Sequence, residues 1–593
     1  MLSKKLYVPA VAALLALGST ACQKDPETEP RYLIKDDFMW DEKDKNATLA
    51  IWFFNDLFNY LPAGFNRASE FSPQSNTVTA NLNDFLAGGT DDAVPSRINR
   101  PVEYFTSGAI SVANNPDPYW ATAYAGIRRV NIFLANIDRV PALPANIVLW
   151  KAEARFIRAM VYWEMVKRYG GVPLIADRVF TLDDNLSLPR NTYADCISYI
   201  VSECNTISPD LRLPGAIPDG EWGRIPRTAA LALKSRVLLY AASPLFNGGQ
   251  VGGASTLQGY PNYDASRWQT ALTAAQDLVN LNVHSLNSSF AGTFTTKKNA
   301  EIILAKQSAN SSNLETFNAP MGYGTPAQSL GYTSPSQNFV DAFPTLTGLP
   351  ITASGSGYDP QNPYANRDPR LLLSVFTNGA TTSTGTTTAG SRWLGRSVET
   401  FDGGRDRPGG ASVQTRTGYY LRKFLGDFAT GTTYTSQSHN FPLFRYAETL
   451  LNYAECLNEV GGRTEDAVAQ IIALRRRAGL TAGTNNRYGI PTGISQTDAR
   501  TLIQNERRIE LGFEEHRFWD VRRWKTAATV LSGPLYGVQI TRAGAGTTAS
   551  PYTYTYNPRA TAATMLWQAR LYYLPLPYDE TTKNLNLAQN PGW

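Results

Sequence analysis

A chain of 593 residues exceeds what one hydrophobic core supports, and its 43% hydrophobic and 18% charged residues are the balance of a folded globular protein. Formal net charge is +5, two of the positive charges being Lys4 and Lys5, and no polybasic tract follows, which argues against a nucleic-acid role. Aromatic residues make up 11%, many in polar surroundings rich in Gly, Asn and Thr; such rings suit stacking on a sugar or peptide, although a large core demands rings too.

The N-terminus speaks to the compartment. "MLSKK" is a short basic region and "LYVPAVAALLAL" an apolar run too short to span a bilayer as a helix; "GSTAC" then supplies small residues up to Cys22. Residues 1–21 resemble a bacterial lipoprotein signal peptide, which implies cleavage before Cys22 and a lipid, palmitate among its acyl chains, on that thiol. Ser19 stands where the lipoprotein pattern has an aliphatic residue, and an ordinary secreted protein with an incidental cysteine is the alternative. Residues 22–40, opening "CQKDPETEP", read as a flexible acidic tether resembling a surface-export signal of Bacteroidota lipoproteins. Cys196, Cys204 and Cys456 are an odd set; the first two are eight apart in an apparent helix, about 12 Å at ~1.5 Å per residue, too far to bridge. All three read as small buried hydrophobes.

From 41 to 247 the pattern is helical. "YWATAYAGIRRVNIFLANIDRV" (119–140) sets Tyr124, Ile127, Val130, Ile132 and Leu134 near helical spacing, with Arg128 and Arg129 opposite. "WKAEARFIRAMVYWEMVKRYGGVPLI" (150–175) ends on Lys167, Arg168 and a Gly–Pro stop. "RTAALALKSRVLLYAASPLFN" (227–247) is built the same way, as is "FRYAETLLNYAECLNEVGG" (444–462), followed by "TEDAVAQIIALRRRAGL". Small residues alternating with aromatics on successive helices suit tetratricopeptide-type stacking, and a helical bundle without repeats fits the same spacing. Residues 248–440 are rich in Gly, Ser, Thr, Asn and Pro and read as long variable loops carrying Tyr323, Tyr332 and Trp393; a second loop block, 62–118, carries Phe65, Tyr104 and Phe105. Residues 441–593 return to helix.

Catalytic motifs are scarce. His284, His439 and His516 are the only histidines, and none belongs to an H-E-x-x-H site. C-x-x-C, a Gly–Lys pair, G-x-S-x-G and G-x-G-x-x-G are all missing, so no metal or cofactor is expected. A two-carboxylate glycosidase has no local motif to search for and stays open. The densest chemistry is "NERRIELGFEEHRFWDVRRW" (505–524). Arg507, Glu510, Glu514 and Arg517 recur at i+3 and i+4, so they are expected to pair along one helical face; Gly512 suggests a close neighbour, and His516 reads as structural.

That segment resembles the signature of the SusD/RagB family of Bacteroidota outer-membrane lipoproteins, with Glu515-His516 where the family pattern has Glu-Gly. "LYYLPLPYDETTKNLNLAQNPGW" (571–593) resembles the family's C-terminal ending, and the helical segments quoted above resemble its core, in the family's order. The resemblance implies an all-α, SusD-like fold with four tetratricopeptide-like helix pairs and a loop-rich ligand region. It implies a non-catalytic protein that captures an oligosaccharide, or in the RagB branch a peptide, and hands it to a SusC-like, TonB-dependent outer-membrane transporter. The motifs are scaffold motifs, so the candidate ligand residues rest on the loops: Tyr104, Phe105, Tyr323, Tyr332 and Trp393. A surface glycan hydrolase and a tetratricopeptide adaptor that binds only proteins are the competing readings.

Overall fold

The structure is a computed structural model that describes residues 36–593 apart from 63, 66, 67, 69–83, 324–328, 381–396, 412, 427–433 and 435. Among the described residues, its longest helices are numbered here in chain order: α1 (Thr48–Leu57), α2 (Trp120–Asn136), α3 (Pro144–Tyr169), α4 (Tyr193–Ile207), α5 (Arg227–Ala242), α6 (Ser266–Asn280), α7 (Tyr446–Glu459), α8 (Thr464–Ala478), α9 (Gln496–Glu510) and α10 (His516–Arg523). None is long and apolar enough to cross a membrane.

Local chemistry explains the helix boundaries. α3 opens on Pro144, whose missing N–H costs nothing there, and stops at Gly170 with φ +78°. Thr192 caps α4 through the Asp195 amide while Asp195 reaches back, a reciprocal capping box. Ser495 caps α9 through the Asp498 amide, and α8 ends on Gly479 at φ +88°.

Helices α2 to α9 form four pairs, α2–α3, α4–α5, α6–α7 and α8–α9, each stacked on the next. α5 lies inside the stack: Ala230, Leu233 and Val237 on one side and Ala232, Ser235 and Leu239 on the other are buried, and the small residues let its neighbours approach. The third pair is formed across a long stretch of chain, because everything between α6 and α7 is an insertion into the stack. Strand Ile302–Lys306 pairs antiparallel with Phe441–Arg445 and brings the two ends of that insertion together, with the Tyr446 amide donating to the Glu301 carbonyl at 2.8 Å.

Three expectations change. α6 lies inside the 248–440 block read as loops, and its buried Trp268, Ala271, Leu272, Ala275 and Leu278 pack it onto α5 and α7. The described part of that block also has its own core, in which Phe339, Phe343, Leu371, Phe376, Tyr419 and Tyr420 pack with Ile509 and Phe513. Secondly, the all-α, SusD-like class holds but gains an element not foreseen: Gly533–Ala543 and Thr553–Met565 form a long antiparallel hairpin. Thirdly, residues 505–524 are not one helix. α9 stops at Glu510, and the chain turns through Phe513 (φ +63°) and Glu515 (φ +68°) before α10 begins. Gly512 does have the close neighbour expected of it, since a Cβ there would lie 2.6 Å from the Phe339 ring.

Candidate functional site

Two places compete for the chemistry, and the charged segment comes first. None of Arg507, Glu510, Glu514 and Arg517 pairs with another of the four. Glu510 instead takes Arg370 and Arg445 at 2.8 Å each, together with Arg477. Glu514 takes Arg445 at 2.7 Å and Lys423 at 2.6 Å, while Arg445 also reaches Glu301 at 2.6 Å. Arg507 and Arg523 both hold Asp520 at 2.7 Å, and Arg517 binds Asp91 at 2.8 Å. The lattice therefore ties α9 and α10 to the insertion and to the N-terminal loops, which local spacing could not foretell.

Most of this lattice is sealed from solvent. Arg370, Glu506, Arg507 and Glu510 are fully buried. Burial alone would raise the Glu510 carboxyl, but Arg477, Arg445 and Arg370 outweigh it and hold the group well below the usual carboxylate range. Burial pushes Lys423 down to about 8 against the pull of Glu514. Burial, reinforced by Arg507 and other nearby cations, drives His516 well below the ordinary histidine value, and its Nδ1 accepts from Arg507 at 3.1 Å. The space beside Glu514 and His516 measures about 40 Å³, room for a water but not for a sugar. Glu510 and Glu514 are thus saturated with cationic partners, and His516 is engaged by Arg507 within the same lattice.

The aromatic candidates divide. Phe105 is buried completely, packing edge-on against Phe518 at 4.8 Å, and Gly89 leaves room for its ring. Tyr323 is 1% exposed in the core of the insertion. Neither can stack on a ligand, so both expectations are corrected: polar neighbours hydrate the backbone around them while the rings turn inward. Tyr104 is half-buried against the main core. Cys22 and Trp393 lie outside the described residues.

Tyr332 remains as a surface feature with a built surrounding. Strand Ala93–Pro95 pairs antiparallel with Thr333–Pro335, so Arg97 and Tyr332 emerge side by side just beyond the ladder. The Arg97 guanidinium lies 3.7 Å from the centre of the Tyr332 ring, and Phe317, from the short helix Asn313–Asn318, stacks on the same ring at 5.6 Å and 11°. Asp84 steers Arg97 from below at 3.3 Å and is itself held by Arg100 at 2.8 Å. The backbone clamps both ends: Ser96 N–H donates to the Tyr332 carbonyl at 2.7 Å and Tyr332 N–H to the Phe317 carbonyl at 2.7 Å. Tyr332 and Phe317 are half-buried, and the Tyr332 hydroxyl bonds to none of the described residues. The guanidinium covers one face of Tyr332 and Phe317 lies parallel to the same ring, so what this rigid stack offers a ligand is the ring edge, the free hydroxyl and the guanidinium N–H groups, which can meet the oxygens of a sugar. Sequence reasoning named Tyr332 and missed Phe317 and Arg97, whose partnership depends on strand register.

Two larger concavities lie elsewhere. A cleft of about 660 Å³ opens between α2, the 173–188 chain and residues 580–587, with Trp120, Tyr124 and Leu188 in its wall and Leu182 fully exposed at its mouth. A second hollow of about 610 Å³ lies beside Trp222. Trp222 was legible by the aromatic-in-polar-loop rule, in "PDGEWGR", but lay within the stretch read as helical.

Comparison with known proteins bears on all of this. Residues 300–593 match the model of the SusD family, and residues 73–239 match a model described as starch-binding associating with outer membrane. SusD-like protein P2 of Formosa agariphila is 25% identical over 87% of this chain and 88% of its own length; SusD-like protein P25 of the same organism is 23% identical over 87% and 89%. A SusD-like protein of Bacteroides fragilis superposes with a TM-score of 0.73 at 25% identity, covering 94% of this chain and 98% of that one. A laminarin-binding SusD-like protein shares the fold with a TM-score of 0.60 at 20% identity, over 92% and 99%. With signature, helix-pair stack and C-terminal ending in agreement, this chain belongs to the SusD/RagB family.

Proposed function

We propose that the protein is a non-catalytic glycan-binding component of a nutrient-import system. It is held at the outer membrane through a lipid on Cys22, faces the cell exterior, and passes its ligand to a SusC-like, TonB-dependent transporter. The observation that carries the glycan reading is the rigid Arg97–Tyr332–Phe317 stack at the surface, set against a charged lattice closed to solvent. The laminarin-binding relative, similar in fold, supports the ligand class. The saturated carboxylates of Glu510 and Glu514 support a role without turnover.

The test is electrophoresis of the soluble protein, starting after Cys22, through gels containing laminarin, starch and other neutral polysaccharides. Retardation by at least one is expected, and Tyr332→Ala and Phe317→Ala should each weaken it without lowering the melting temperature. Release of oligosaccharide by the purified protein would contradict the non-catalytic reading. Binding to peptides with no retardation by any glycan would move the protein to the RagB-type alternative.

A further inference from the structure

We propose that the protein carries a second glycan-binding groove, centred on Trp222, that takes the acidic units of a polysaccharide. It rests on the reading of the protein as a glycan binder but uses none of the residues at Tyr332. The hollow of about 610 Å³ beside the 214–226 loop adjoins another of about 460 Å³ at the end of α1. Trp222, Gly223, Arg224 and Ala305 wall both, so the two form one trough of the size that takes an extended ligand.

The centre of the trough is held in place. Gln307 donates its amide to the Trp222 carbonyl at 2.6 Å and lies against Gly223, where a Cβ would collide with that amide. Gly223 also has φ +104°, so a side chain there is excluded twice over. The backbone that carries the half-buried Trp222 is thereby fixed, with the ring in the wall of the trough. At the far end the trough reaches Asn55 near the end of α1 and Asn59 in the 3-10 turn Phe58–Tyr60 that follows it. Both asparagines line the trough; the Asn59 amide donates to Asp56 at 2.9 Å, and Asn55 offers its amide to hydroxyls.

The charges set the preference. The acids at the rim are already matched: Asp219 pairs with Lys298, and Glu221 with Arg212 at 2.6 Å. Arg224 is aimed from behind, with Nε 3.0 Å from buried Glu153 and its guanidinium 4.6 Å from the centre of the Phe54 ring. Neither of its terminal nitrogens bonds to another described residue, which leaves the fork that suits a carboxylate or sulfate. Lys297 is exposed, 5.8 Å from the Trp222 ring centre, and no carboxylate among the described residues pairs with it. A sugar on Trp222 thus meets the outer nitrogens of Arg224, whose Nε is held by Glu153, and the exposed Lys297, while the rim acids Asp219 and Glu221 are already paired.

The probes are polygalacturonate (carboxylated), κ-carrageenan (sulfated) and laminarin (neutral), each cast in a native gel with the soluble protein. Retardation by at least one acidic polymer is expected, weakening as salt is raised. Trp222→Ala and Lys297→Glu, both at surface positions, should weaken it by at least about threefold, the lower end of a lost ring-face contact. Both variants should run as wild type in laminarin and melt as wild type. No retardation by either acidic polymer, or unchanged retardation in Trp222→Ala, overturns the proposal. So does acidic retardation lost in Tyr332→Ala alone. Failure of laminarin or of Tyr332→Ala to behave as expected bears instead on the first site.

Discussion

The segment 505–524 and the Tyr332 corner make opposite use of arginine. In the first, Arg507 is buried and bonded to Asp520, Asn452 and His516, while Arg370 and Arg445, buried and far off in sequence, close on Glu510. In the second, Arg97 keeps 15% of its side chain exposed, pairs with buried Asp84 and lies over the half-buried Tyr332 ring. The density of ionisable groups therefore locates the scaffold, and the proposed ligand site lies where charges are fewer and aromatic rings are held at the surface. A buried ion lattice trades desolvation against Coulomb attraction and yields specificity of assembly more than net stability. A half-buried stack at the surface leaves its outer edge, with the Tyr332 hydroxyl, for a ligand.

Breaking the lattice should have the largest effect. Arg445→Met leaves Glu301, Glu510 and Glu514 without a shared cation, and a loss of about 3–5 kcal/mol in chemical denaturation is expected, enough to prevent folding in some conditions. Gly512→Ala drives a methyl into the Phe339 ring and should cost about 1–3 kcal/mol by the same measurement. Wild-type stability in either variant would mean the lattice and its turn are not what joins α9 to the insertion.

Acid sharpens the comparison, because two buried groups push stability in opposite directions. The unfolded chain binds a proton at His516 below pH ~6.5 while the folded chain refuses it, so this contribution falls as pH drops from ~6.5. Glu153, pushed up to about 7 by burial against the pull of Arg224, keeps a proton that the unfolded chain releases above pH ~4.3. Its contribution therefore falls as pH rises from ~4.3 through about 7. Each slope is at most about 1.4 kcal/mol per pH unit. Denaturation at pH 5 and pH 7 should show His516→Asn gaining on wild type toward pH 5 and Glu153→Gln gaining toward pH 7; parallel profiles would contradict both assignments. Below the unfolded carboxylate range, Glu506, Glu510, Glu514 and Asp520, all held low, should add a steep loss as they are protonated.

The smallest effect in free energy is the functional one. Tyr332→Ala should weaken retention by a bound glycan by about 3- to 10-fold, the 0.5–1.5 kcal/mol of a lost aromatic contact, with the melting temperature unmoved.

What was legible in the chain follows the range of each interaction. Helices α2, α3, α5 and α7 declare themselves through local periodicity and stop signals such as Gly170. α6 carries the same signal in Trp268, Ala271, Leu272 and Leu278, drowned by Gly- and Pro-rich flanks, and the Thr–Tyr alternation at 553–556 was a strand signal left unread. The third helix pair and the partners of Glu510 were not legible, because both depend on chain segments far apart in sequence. At the candidate site, composition found Tyr332 yet also offered Phe105 and Tyr323, since polar neighbours report on the backbone and not on which way a ring turns.

The most direct measurement pairs retention with stability in two variants, Tyr332→Ala and Arg445→Met, each in a laminarin gel and in a thermal melt. The account predicts lost retention with an unchanged melt for Tyr332→Ala, and a lowered melt for Arg445→Met with retention kept by whatever fraction stays folded. Retention lost from folded Arg445→Met while Tyr332→Ala binds normally would place the function in the charged segment and contradict it.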